Sequence, residues 1–132
     1  MSQKITRHIK EMVEDANTRV KTLSFDEAQA VLSSDTHVFV DIRDIRELQR
    51  SGKIPGAFHA PRGMLEFWID PESPYHRAVF DEDKTYVFYC ASAWRSALAA
   101  DMAQSMGLSP VVHLEGGFTH WERSGGAVDK VD

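Results

Sequence analysis

Residues 86–96 read Tyr86-Val87-Phe88-Tyr89-Cys90-Ala91-Ser92-Ala93-Trp94-Arg95-Ser96. Four large apolar residues in succession predict a strand that is buried on both faces, as in a parallel sheet. The alanine-rich segment 96–106 has high helix propensity and is followed by Gly107, a typical end for a helix. The chain is therefore predicted to run from a buried strand through a short loop into a helix, with Cys90 at the end of the strand.

The flanking segments alternate between strand-like and helix-like patterns. Further strands are predicted at 20–23, 38–40 and 111–114, with room for one short strand within 54–61. Helices are predicted from a capping box of Ser24 and Glu27 to about Leu32, from a capping box of Asp44 and Glu47 to Gly52, over one or two turns in 64–69, and around Trp121, whereas 71–83 is irregular. This alternation predicts an α/β fold with a parallel sheet of about five strands and helices on both faces.

The N-terminal segment carries apolar residues at helical spacing, namely Ile5, Ile9, Met12, Val13 and Ala16. We therefore divide the chain into an amphipathic helical extension, 1–18, and one domain, 19–132. The apolar stripe has to be buried on the domain or against a second subunit, so a monomer and a homodimer are both open. Docking on the same chain is the favoured arrangement.

Composition excludes several classes of protein. The chain has 132 residues, of which 42% are hydrophobic, enough for one core. A net charge of -5 disfavours nucleic acid and anionic membranes as partners. The N-terminus has no apolar signal region, and a single cysteine cannot form an internal disulfide. We expect a cytoplasmic protein, because a lone thiol suits a reducing compartment.

The chemistry is expected where ligands bind in parallel sheets, at the carboxyl ends of the strands. These places are Asp41-Ile42-Arg43 and the loop from Cys90 to Arg95. The start of a helix favours an anion, which here would be the Cys90 thiolate, and Arg95 adds a positive charge. A free cysteine is more often a buried structural thiol, but this loop favours a nucleophile in a partly exposed site.

Cys90 and Arg95, with four residues between them and with Ser96 and an alanine-rich helix behind, resemble the active-site loop of the rhodanese family. Four further segments resemble other signatures of the family and occur in the same order. They are Val40-Asp41-Ile42-Arg43 with Glu47, 52–57 with Pro61, Leu114-Glu115-Gly116-Gly117-Phe118 with Trp121, and 125–128. The resemblance covers roughly 19–128. It implies a rhodanese-like fold.

The resemblance also implies a sulfurtransferase that needs no cofactor. Cys90 would take a sulfur atom from thiosulfate, mercaptopyruvate or a persulfide and pass it to cyanide, a thiol or a protein acceptor. The backbone amides of Ala91, Ser92, Ala93, Trp94, Arg95 and Ser96 would hold the negative charge, while Arg95 would hold the loop and attract anionic donors. Asp41 and Arg43 would brace the loops, with direct substrate contact as the alternative for Arg43.

Three loop residues depart from the family pattern. Ala93 occupies a position where glycine is frequent, so a left-handed backbone there would cost about 1–2 kcal/mol, and we expect a somewhat different loop shape. Ala91 and Ser92 are neutral, whereas loops that favour thiosulfate often carry a basic residue. The donor therefore stays open.

The remaining candidates have plain structural interpretations. Trp94 could form a pocket wall or pack against a helix, Phe67 and Trp68 are expected in the core rather than at the pocket mouth, and Glu47 is expected to cap a helix. Gly116-Gly117 is interpreted as a tight strand-to-helix turn. No histidine pairs with another or with Cys90 at metal-ligand spacing, so no metal site is predicted.

Two other functions remain as alternatives. Phosphatases related to this family have a loop one residue longer, which encloses a tetrahedral phosphate, and the four residues between Cys90 and Arg95 disfavour one. A non-catalytic regulatory or partner-binding module is the other alternative. Retention of Cys90 disfavours it, because inactive family members commonly lose the cysteine.

Overall fold

The computed structural model describes residues 2–132 as one parallel sheet with helices on both faces. The strands are β1 (Lys21–Leu23), β2 (His37–Asp41), β3 (Phe58–His59), β4 (Thr85–Tyr89) and β5 (Val111–Leu114), in the order β1-β5-β4-β2-β3. The helices are α1 (Ile9–Asn17), α2 (Phe25–Val31), α3 (Ile45–Ser51), α4 (Leu65–Ile69), α5 (Trp94–Met106) and α6 (Gly117–Arg123), with single 3-10 turns at 62–64 and 78–80. The predicted α/β fold is confirmed.

Local sequence signals set most helix ends where they were predicted. Ser24 caps α2 and Asp44 caps α3, each in a reciprocal capping box with the glutamate three residues on. Gly107 ends α5 in a left-handed conformation, with φ of 109°. The beginning of α5 differs from the prediction, because the helix starts at Trp94, two residues before the alanine-rich segment.

Strand β4 lies at the centre of the sheet, between two hydrophobic cores. Tyr86 and Phe88 pack in the core that contains residues of α4 and α5, and Val87 and Tyr89 pack in the core that contains residues of α2 and α6. All four side chains are fully buried. Each contributes on the order of 1.5–3 kcal/mol, so the strand that leads to Cys90 is held firmly from both sides.

Helix α1 packs on the same chain, against α5. Val13 and Ala16 are buried with Ala97 in a small third cluster, whereas Ile5 and Ile9 are exposed. The buried stripe is therefore shorter than predicted: Ile5 lies before the helix, and Ile9 is its exposed first residue. The division at residue 18 stays a prediction. No helix within residues 2–132 combines the length and hydropathy that a membrane span requires.

Candidate active site

The two places predicted for chemistry lie side by side at the carboxyl edge of the sheet. Asp41, the last residue of β2, is in register with Tyr89, the last residue of β4. The backbone N–H of Ile42 donates to the Tyr89 carbonyl at 3.0 Å, so the two strands stay paired up to Cys90.

Cys90 is buried beneath the loop that follows it. The residue is 1% exposed, so the expectation of a partly exposed site was wrong. The backbone N–H of Ser96 donates to the Cys90 Sγ at 3.4 Å. The chain after Cys90 thus turns back over the sulfur and reaches it from the first turn of α5, a closure that no local sequence pattern shows.

The loop between Cys90 and Ser96 offers several unused hydrogen-bond donors. Within residues 2–132 no protein acceptor takes a hydrogen bond from the backbone N–H groups of 91–95. Five free N–H groups beside a helix N-terminus make an environment that favours a negative charge. Among the described residues, Ser96 alone donates a hydrogen bond to the sulfur.

Ala93 adopts a left-handed backbone conformation in the middle of this loop. Its φ is 74°, and it is the one non-glycine residue with positive φ in the described chain. This is the left-handed backbone for which the sequence analysis gave alanine a cost, and the expectation of a somewhat different loop shape stays a prediction. The chain holds a strained alanine here, at a cost of about 1–2 kcal/mol.

Replacing Ala93 by glycine should therefore stabilise the protein by up to about 1 kcal/mol. Relief of left-handed strain outweighs the extra entropy that glycine gives the unfolded chain, about 0.5–1 kcal/mol. Urea unfolding measures the change, with Ala91→Gly as the matched control, since Ala91 has no positive φ. A loss of stability in Ala93→Gly as large as in the control would contradict the strain assignment.

Arg95 is anchored to helix α3 rather than left free. Its two terminal nitrogens donate to the two carboxylate oxygens of Glu47, at 2.8 and 3.0 Å. This hydrogen bonding by Arg95 lowers the pKa of the Glu47 carboxyl from its usual value. Glu47 also accepts the backbone N–H of Asp44, so it caps α3, as predicted, and holds the loop as well. The bidentate pair offsets much of the positive charge beside Cys90.

Asp41 and Arg43 form a buried ion pair that braces the neighbouring loop. The Arg43 Nη2 donates to Asp41 at 2.7 Å and to the Gly52 carbonyl at 2.7 Å. Its guanidinium also lies over the ring of Phe118, 4.3 Å from the centroid. Arg43 is only 2% exposed, so the geometry supports bracing and not substrate contact.

Helix α6 supports the cysteine loop through two backbone hydrogen bonds, a role that the sequence interpretation missed. Gly116 and Gly117 form the predicted tight turn, both with positive φ. The N–H of Phe118 then donates to the Cys90 carbonyl at 2.8 Å, and that of Thr119 to the Ala91 carbonyl at 3.1 Å. The adjacent glycines were the one available signal of such a close backbone approach.

The exposure of the aromatic candidates differs in part from the prediction. Trp68 packs against the core, with its ring edge-on to Phe58. Phe67 is 50% exposed, so placing it in the core was wrong. Trp94, the first residue of α5, is 47% exposed and presents a large apolar surface beside the loop.

His113 of β5 is another buried polar residue near the cysteine, and no sequence pattern predicted its contacts. Its Nδ1 lies 2.9 Å from the Ser96 Oγ, and its Nε2 lies 2.8 Å from the Asn17 Oδ1 and 3.3 Å from the Thr22 Oγ1. Burial lowers the pKa of His113 to about 4. The ring is therefore neutral near neutral pH.

Stability should fall when His113 is forced to take a proton. Because its folded pKa lies below the value of 6.5 for a free ring, the unfolded chain binds more protons between about pH 4 and 6.5. The stabilisation is complete above this window and is lost as the pH falls through it. We expect a loss of about 2 kcal/mol between about pH 7.5 and 5, measured by urea unfolding. His113→Gln should lack this part of the pH dependence, and an unchanged dependence would contradict it.

Comparisons with known proteins agree with this geometry. A family model for the rhodanese-like domain matches residues 24–124. Human thiosulfate:glutathione sulfurtransferase is 29% identical over 106 residues, which cover 76% of this chain and 91% of that protein. The structure of the single-domain sulfurtransferase RDL2 from Saccharomyces cerevisiae superposes with a TM-score of 0.66 at 28% identity, covering 85% of this chain and 96% of that one.

One solved structure resembles the chain over nearly its whole length. It is a protein of unknown function from Rhodopseudomonas palustris, described as a possible tyrosine phosphatase. It is 56% identical, has a TM-score of 0.95, and the match covers 98% of this chain and 99% of that one. The N-terminal helix therefore has a counterpart there, since so much of both chains is matched.

Proposed function

The chain belongs to the family of rhodanese-like domains, and on that premise we propose that it is a sulfurtransferase whose Cys90 carries the transferred sulfur as a persulfide. The observation that carries this proposal is the loop itself. It places the only cysteine of the chain at the end of β4, beside five free backbone N–H groups. Such a loop suits a nucleophile that is negative both before and after it takes up sulfur.

The transfer consists of two displacements at sulfur. The Cys90 thiolate attacks the transferable sulfur of the donor, which is the outer sulfur of thiosulfate or a persulfide and the thiol sulfur of mercaptopyruvate. A new S–S bond forms, and the electron pair of the broken S–S or C–S bond leaves with the rest of the donor. A nucleophilic acceptor then attacks the outer sulfur of the persulfide and releases the Cys90 thiolate. With no second thiol in the chain, the persulfide cannot collapse to an internal disulfide and waits for an external acceptor.

The charges of the site support a persulfide as the donor over thiosulfate. Ala91, Ser92, Ala93 and Trp94 are uncharged, and Arg95 is paired with Glu47. Dianionic thiosulfate therefore finds little net positive charge to attract it, whereas the exposed ring of Trp94 offers apolar contact to the carbon skeleton of a larger donor. Mercaptopyruvate, a smaller anionic donor, ranks between them.

A thiol is the acceptor we favour, and cyanide is a second one. The relative named thiosulfate:glutathione sulfurtransferase supports a low-molecular-weight thiol for this chain too. A protein acceptor fits the same chemistry. The cytoplasmic location and the choice between monomer and homodimer stay predictions.

A phosphatase is the second candidate, because the protein from Rhodopseudomonas palustris is described as a possible tyrosine phosphatase. Two features of this chain count against that activity. Four residues separate Cys90 from Arg95, a short loop for a tetrahedral phosphate, and the Arg95 guanidinium is occupied by Glu47. The third possibility, a non-catalytic module, would leave the free amides beside Cys90 without a use.

The test is steady-state kinetics with glutathione persulfide, mercaptopyruvate and thiosulfate as donors, together with p-nitrophenyl phosphate as a phosphatase substrate. We expect sulfur transfer to cyanide and to a thiol, fastest from the persulfide. Double-reciprocal plots at several acceptor concentrations should be parallel, as for a covalent enzyme intermediate. Hydrolysis of the phosphate ester without any sulfur transfer would overturn the proposal in favour of a phosphatase.

A further inference from the structure

A buried chain of hydrogen bonds connects the N-terminal helix to the cysteine. It runs from Asn17, the last residue of α1, to His113 on β5, then to Ser96 on α5, whose backbone N–H reaches the Cys90 Sγ. Ser96 and His113 are both almost completely buried. Buried polar groups cost free energy unless they are hydrogen-bonded, and each polar side chain in this series has a hydrogen-bond partner.

The partners fix the tautomer of His113. The Asn17 Oδ1 can only accept, so the His113 Nε2 carries the ring proton and donates it. In a neutral ring the Nδ1 is then an acceptor, and the Ser96 hydroxyl donates to it at 2.9 Å. The groups that face the ring from α1, β1 and α5 are Asn17, Thr22 and Ser96, and none of them is charged.

Ser96 is the point where this chain meets the reacting sulfur. It is the third residue of α5, and within the part of the chain that the structure describes its N–H is the one protein donor to the Cys90 Sγ. A serine hydroxyl in a helix that lacks a partner turns to a carbonyl of the preceding turn and distorts the helix. By accepting that hydroxyl, His113 keeps the first turn of α5 against β5 and so sets the position of the amide that faces the sulfur.

We propose that His113 is a positioning residue for the sulfur-transfer site: it holds Ser96 in place, and Asn17 extends this support to helix α1. The inference rests on the proposed function of Cys90. It makes the N-terminal extension a part of the active-site framework, although α1 itself contributes no group that touches the sulfur.

Substitutions at His113 separate positioning from packing. His113→Leu removes both hydrogen bonds. His113→Asn keeps an amide oxygen near the former Nδ1, which can accept from Ser96, but it cannot reach Asn17. Asn17→Ala leaves the Ser96 link and removes the support from α1. Val112→Ala, on the same strand but in the opposite core, is the control for a general loss of stability.

Two measurements are made on each folded variant, alongside its free energy of unfolding in urea. One is the single-turnover rate of persulfide formation, followed by intact mass. The other is the ultraviolet absorbance of the Cys90 thiolate at a fixed neutral pH, with Cys90→Ser as the blank, which needs no sulfur donor. The second measurement therefore judges the positioning even if the unmutated protein transfers no sulfur, and failure of the proposed function is seen separately.

We expect His113→Leu to slow persulfide formation about tenfold and to reduce the thiolate absorbance, since the amide that faces the sulfur is displaced. His113→Asn should recover most of both, Asn17→Ala should lose about twofold in rate, and Val112→Ala should match the unmutated protein. If His113→Leu does not fold, His113→Asn and Asn17→Ala carry the test. Losses in His113→Leu no larger than those in Val112→Ala, losses in His113→Asn as large as those in His113→Leu, or no loss in any His113 or Asn17 variant would overturn the proposal.

Discussion

Replacing Gly117 by alanine is expected to destabilise the protein by about 2–5 kcal/mol and to disable the cysteine loop. The residue has a φ of 64°, which alanine adopts only with strain. An added Cβ would also lie 2.6 Å from the carbonyl oxygens of Cys90 and Ala91. Those atoms are backbone and cannot rotate away, so the loop itself has to move.

Gly125→Ala is the matched control for this prediction. Gly125 also has a positive φ, of 88°, but an added Cβ there meets no atom within 4 Å. It should therefore show the strain alone. The expected loss in urea unfolding is about 1 kcal/mol, because alanine lowers the entropy of the unfolded chain and this stabilisation offsets part of the strain. Equal losses for the two variants, with sulfur transfer retained in Gly117→Ala, would show that the contact between α6 and the loop is unimportant.

Cys90→Ser is expected to abolish sulfur transfer, by at least about a thousandfold, while the protein stays folded. A serine hydroxyl does not ionise near neutral pH and cannot form a persulfide. Because Cys90 is buried, we expect the serine hydroxyl in its place to lower the free energy of unfolding by about 1–2 kcal/mol.

Circular dichroism and urea unfolding establish that the Cys90→Ser protein is folded, and steady-state transfer from glutathione persulfide to cyanide measures its activity. Cys90→Ala serves as the companion variant, because it tolerates the apolar surroundings of the sulfur without a hydroxyl. Substantial transfer by either folded variant would mean that the sulfur travels by a route that does not use this residue.

Much of the fold could be predicted because its signals are local. The capping boxes at Ser24 and Asp44, the apolar run of β4 and the glycine after α5 each depend on a few neighbouring residues. The parallel sheet then places Asp41 and Cys90 at one edge without further information. The location of the site follows from this topology.

The details of the site could not be predicted, because they depend on residues far apart in the chain. Arg95 pairs with Glu47 across 48 positions, and His113 meets Asn17 across 96. The burial of Cys90 likewise results from the loop and α6 closing around it. Ala93 shows a different limit of prediction from residue type. Alanine disfavours a left-handed backbone, but it adopts one here because the rest of the loop requires it.

The most direct test of the account is the mass of the intact protein after incubation with glutathione persulfide and removal of the excess donor. We expect the protein to gain the mass of one sulfur atom, to lose it when cyanide or a thiol is added, and to show the gain on the peptide that contains Cys90. A folded protein that gains no sulfur from glutathione persulfide, mercaptopyruvate or thiosulfate would contradict the proposed function.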